Sequence, residues 1–213
     1  MSWIVRGREL LMNTYKHLPT LFMGGSLMLG GLTGIVPFLI LGLFTTILYL
    51  GLKGLNTFMN SMLGTPNSTY AYFSFKPESG PNELFLNQWL TLSVFVITYL
   101  FSNILSVYNY ATNSVTDESL IANRQAYAIS CMTALVVFTI FLFISKGMLD
   151  KLPALMWILS LGAGGGIGYA MWNLVSSRGT DLRVGDVFQI RNNLAPSGYV
   201  QGAMTTPVVC KAP

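Results

Sequence analysis

Four long stretches of the chain contain no Lys, Arg, Asp or Glu, and polar residues gather between them. They lie between Lys16 and Lys53, Glu83 and Asp117, Arg124 and Lys146, and Lys151 and Arg178, and hold 36, 33, 21 and 26 residues. A helix crosses the hydrocarbon core of a bilayer, roughly 30 Å, with about 20 apolar residues. Each stretch is long enough for one crossing, and none comfortably holds two with a turn. Backbone groups facing lipid must be bonded within their own segment, which selects helices over strands. The pattern predicts an all-α integral membrane protein with four transmembrane helices, at about 21–52, 86–109, 126–145 and 153–175. A basic juxtamembrane segment, 1–17, precedes this 18–175 region, and a C-terminal extramembrane tail, 176–213, follows it.

Composition strengthens that reading. Of 213 residues, 52% are apolar and 9% charged, against about 25% charged in an ordinary soluble domain. Four helices apolar around most of their circumference would need an outer layer in water, and the remaining residues cannot supply one. The first apolar stretch far exceeds the 7–15-residue core of a cleavable signal, so it is expected to stay as an anchor. Cys131 falls inside the third span and Cys210 in the tail, a poor arrangement for a disulfide.

Within the spans, small residues carry most of the pattern. Ser26, Gly30 and Gly34 recur every four residues along one face of the first span. Such a stripe lets a second helix approach closely, and in lipid that packing drives association. Pro37 either bends this span or breaks it into a pair. The fourth span contains LGAGGGIGYA, with Gly162 four residues before Gly166 and Gly164 four before Gly168. A dinucleotide fingerprint would need a glycine five residues after the first, between a strand and a helix. Ile167 and Tyr169 occupy those places, so close helix packing is the better account. That packing can be within the chain or between copies, and self-association is among the expected partners.

The connections are also informative. Lys53 to Leu63 can continue as an interfacial helix, and the loop beyond carries a glycosylation triplet at Asn67-Ser68-Thr69. Trp89 and the pair Tyr108 and Tyr110 mark the two interfaces of the second span. Between them Thr91, Thr98, Ser102 and Ser106 share a face, with Asn103 beside it. Hydrogen bonding between helices is the favoured account, and a polar pathway across the membrane is the alternative. Only Gly147 to Pro153 separates the third and fourth spans, which predicts an antiparallel hairpin.

Four crossings put the N-terminal segment, the second loop and the tail on one side, with eight Lys or Arg against four on the other. Positive charge favours the cytoplasmic side. Both termini are therefore expected there, with Asn67 on the lumenal side.

Little points to catalysis. His17 is the single histidine and sits at a membrane boundary without a cluster of ligand residues around it. No metal site, cofactor, catalytic set or nucleic-acid partner is expected. The spans contain no ionisable residues of the kind that mark pumps and proton-coupled transporters, which leaves a passive pore as the transport alternative. The tail is different. Its apolar residues Phe188, Tyr199, Val208, Val209 and Cys210 recur without a domain-sized core, which suits docking on a partner, including strand addition to a sheet edge.

The glycine-rich first span (GGSLMLGGLTGIVPFLILGLF), a second ending YLFSNILSVYNYA, and a tail reading GDVFQIRNNLAP then TTPVVC resemble membrane proteins of nucleocytoplasmic large DNA viruses, the chloroviruses among them. The resemblance covers about half the chain and includes no catalytic motif. It implies a structural or minor capsid protein of the virion's internal membrane, derived from host endoplasmic reticulum. The tail would then meet capsid proteins across the cytosolic face. The alternatives are a small transporter or channel, and an accessory subunit of a large membrane complex.

Overall fold

The computed structural model describes residues 15, 17–33, 36–63, 86–114, 118–149, 152 and 154–178. These residues form five helices: α1 (Leu18–Thr33), α2 (Val36–Leu63), α3 (Gln88–Ser114), α4 (Glu118–Leu149) and α5 (Ala154–Arg178). Four contain segments long and apolar enough to cross a membrane: Val36–Phe58, Gln88–Asn109, Ile121–Gly147 and Ala154–Ser177. The fold is all-helical with four such spans, as the charge-free stretches predict. Asn67, Gly34 and the tail residues Phe188, Tyr199, Val208, Val209 and Cys210 lie outside the described residues.

The first stretch departs from the expectation of a single crossing. It holds two helices, and they fold back on each other. A β-carbon placed on Gly30 would lie 2.6 Å from the Leu39 Cγ and backbone nitrogen, and one on Gly42 would lie 2.7 Å from the Leu27 Cγ. Residue 30 thus faces 39 and residue 27 faces 42, the pairing of an antiparallel hairpin. Two glycines, one per helix, each receive a leucine of the other helix. Two helices fit because α1 is short and α2 runs past Lys53 to Leu63, and the glycines let them lie close together. Pro37 stands in the first turn of α2, where its missing N–H costs no helical bond. At 16 residues, α1 is about 24 Å long and shorter than a typical crossing.

The other helices run past the ends of their apolar cores. α4 begins at Glu118, eight residues before the predicted span, because an apolar pattern marks the lipid-facing stretch and not where backbone bonding stops. Its ends suit the helix dipole, with Glu118 in the first turn and Lys146 in the last. α2 likewise continues unbroken through Lys53 to Leu63.

The helix directions follow from contacts at one end of the stack. The Trp89 Nε1–H donates to the Tyr15 carbonyl at 2.8 Å, and Lys146 Nζ lies 4.8 Å from the Trp89 ring centroid. The Asn87 N–H donates to Ser160 Oγ at 2.9 Å. The starts of α1, α3 and α5 therefore meet the end of α4. Helices α1, α3 and α5 run one way, and α2 and α4 run the other. Residues 17 and 178 stand at opposite ends of the stack, a consequence of five helices where four were expected.

α3 is the hub. It touches all four other helices, and seven consecutive residues, Leu90 to Val96, are buried. Phe95, Val96 and Tyr99 form a core with Leu41 of α2, joined by Phe22 of α1 and by Ile167, Met171 and Trp172 of α5. α4 is the opposite case. Its apolar Val137, Ile140, Phe141 and Ile144 are more than half exposed, a face made for lipid.

Candidate functional site

The residues with the most constrained surroundings line the contact between α3 and α5. Gly164 and Gly168 are both buried. A β-carbon on Gly164 would lie 2.5 Å from the Thr91 carbonyl oxygen, and one on Gly168 would lie 2.7 Å from that of Phe95. Backbone meets backbone here, which only glycine permits. With Asn87 facing Ser160, the three pairs keep one offset, so the helices run parallel and in register. Carbonyl oxygens this close to glycine α-carbons also admit weak Cα–H···O contacts.

The two glycine pairs of α5 part company. Gly162 and Gly166 are exposed, with nothing within 4 Å of an added β-carbon. They share the outer face with Leu155, Ile158 and Tyr169. In α1 the stripe divides too. Gly30 meets Leu39 of the same chain, Ser26 is half-buried, and Gly34 lies outside the described residues.

The polar face of α3 is occupied by packing. Asn87 caps the helix, its Oδ1 accepting from the Leu90 N–H at 2.8 Å, while Thr91 Oγ1 donates to the Asn87 carbonyl at 2.9 Å. Thr98 lies against α5, its Cβ 3.1 Å from where a β-carbon of Gly168 would stand. Thr91 and Asn103 are fully buried, and Ser102 and Ser106 are half-buried.

Charge sits at two levels on α4. Arg124 is 6% exposed and Lys146 3% exposed. Twenty-two positions separate them, about 33 Å along a helix, close to the thickness of a hydrocarbon core. Between them Ala128 and Leu142 are buried toward the bundle. Lys146 reaches the Trp89 face, an arrangement in which ring and cation attract, and the Tyr15 ring packs on the same indole at 4.6 Å between centroids. Gln88 Nε2 adds a bond to the Tyr49 carbonyl at 3.2 Å. This collar ties α1, α2, α3 and α4 together at one end.

Sequence reasoning missed the collar and the Gly42 contact. Asn87 before an apolar run carries an N-cap signal. Nothing local announces that Lys146 will cover Trp89, because the pairing crosses 57 positions of sequence. His17 is exposed and Cys131 half-buried. Among the described residues, no three His, Cys, Asp or Glu side chains come together as metal ligands would.

No protein-family model, curated protein or solved structure matches the chain.

Proposed function

We propose that this chain is a non-enzymatic membrane scaffold that ties a bilayer to a protein layer. The setting is the one its sequence resembles: the internal membrane of a large DNA virus, derived from host endoplasmic reticulum, beneath a capsid shell. The helices hold the bilayer, and the tail, with Phe188, Tyr199, Val208, Val209 and Cys210, makes the contact with capsid proteins.

One observation supports this reading above the transport alternative. Of the side chains that a polar pathway would need, Thr98, Ser102 and Asn103, Thr98 is held against the glycine face of α5, Asn103 is fully buried and Ser102 is half-buried. A close-packed seam between parallel helices suits a rigid anchor. The broad apolar surfaces of α4 and α5 give it lipid or neighbouring helices to hold.

The test is gentle detergent purification of the tagged protein from its native source, with partners identified by mass spectrometry. Capsid proteins should co-purify, and truncation after Arg178 should abolish their recovery while leaving membrane insertion intact. Recovery of the partners with the truncated chain would overturn the docking role of the tail. Recovery with subunits of an energy-transducing or translocation complex would replace the virion scaffold with an accessory-subunit role.

A further inference from the structure

We infer that the segment before Leu18 and the tail after Arg178 leave the membrane on opposite faces, so that the two lie in different compartments. The inference rests on helix directions and not on the anchoring role, and it can fail while that role stands.

Contacts along the stack fix the directions. Trp89 bonds to Tyr15 and carries Lys146 on its ring, which brings the start of α1, the start of α3 and the end of α4 to one level. The Asn87–Ser160 bond brings the start of α5 to that level as well. The contacts of Gly164 with Thr91 and Gly168 with Phe95 then carry α5 alongside α3 in the same direction. Arg178 is the last residue of α5, so it stands at the far end. The hairpin of α1 and α2 is the element that changes the parity. Its two glycine contacts return the chain to the end where it entered.

Two consequences follow for the surfaces. By this inference the segment before Leu18 shares its face with the 64–85 connection, and therefore with Asn67, whereas the tail shares its face with the 115–117 connection. Lys and Arg then number seven on the first face and five on the second, so positive charge no longer selects a cytoplasmic side. The first face carries Tyr15, Trp89 and Lys146, an aromatic and cationic collar of the kind that sits at headgroup level. The second carries the tail.

The test uses single-cysteine variants of the full chain inserted into sealed microsomes. Each carries Cys131→Ser and one reporter thiol: Ser2→Cys, Thr65→Cys or Thr116→Cys, each with Cys210→Ser, or the native Cys210. A membrane-impermeant maleimide is applied before and after permeabilisation. The labelled fraction at position 2 should match that at 65, and the fraction at 210 should match that at 116, with the two pairs on opposite sides of the membrane. Protease protection of a short epitope at each end of the chain gives the same readout without a cysteine. A position 2 that follows 116 and 210 would overturn the inference.

Discussion

The Thr91 carbonyl oxygen lies where a β-carbon on Gly164 would approach to 2.5 Å, so the α3–α5 contact is set by the absence of a side chain. An alanine there would have to move a backbone group, since a carbonyl within a helix cannot rotate away as a side chain can. Overpacking of this kind costs about 1–3 kcal/mol. Gly164→Ala and Gly168→Ala should each lower the thermal midpoint in detergent, read by size-exclusion chromatography after heating. Gly162→Ala and Gly166→Ala, facing open space, should leave it unchanged or raise it slightly through helix propensity. Equal losses at all four positions would remove the α3–α5 seam as the special contact.

How much of the fold is legible in the sequence can be argued from the same glycines. Four-residue spacing identifies both pairs of α5 as packing candidates, yet sequence has no means of telling which face meets a neighbour. Adjacent faces of one helix carry the same spacing, and tertiary placement chooses between them. The four spans are legible because lipid imposes an unbroken apolar length. The hairpin is legible only in part, because Gly30 lies on a small-residue stripe and Pro37 admits a broken pair, while Gly42 gives no local signal that it receives Leu27. The consequence is large, since one additional helix puts residues 17 and 178 at opposite ends of the stack.

The hairpin makes its own prediction. Gly42 is closed in by the Leu27 side chain, and a β-carbon added at Gly42 would also stand 2.9 Å from the Leu27 backbone nitrogen. Gly42→Ala should destabilise by about 1–3 kcal/mol. Adding Leu27→Ala removes the nearest side-chain atoms and should restore part of the loss, although Leu27→Ala alone is itself destabilising. A double-mutant cycle on thermal stability measures this coupling. Strict additivity would mean that residues 27 and 42 do not meet.

The Trp89 collar should hold the start of α1 in place. Trp89→Phe keeps a ring for Lys146 and Tyr15 but removes the Nε1–H that donates to the Tyr15 carbonyl. A bond of this type contributes about 0.5–1.5 kcal/mol, so local opening should rise by a factor of about 2 to 13. Limited trypsin digestion after Lys16 is the measurement, with cleavage expected to accelerate by a similar factor while global thermal stability changes little. An unchanged cleavage rate would remove the collar as a clamp.

Asn103 separates the scaffold reading from the transport alternative. It is fully buried on α3, in the row of polar residues that a pathway would use. If that row only packs helices, liposomes containing the protein should leak small ions and neutral solutes no faster than empty liposomes. Asn103→Leu should then change stability and leave permeability at its background value. A pathway predicts the reverse: measurable flux through the native protein, reduced by the leucine, with folding preserved. Flux that disappears in Asn103→Leu while the Gly162→Ala control still conducts would move the function from anchoring to transport, and the tail would need a different explanation.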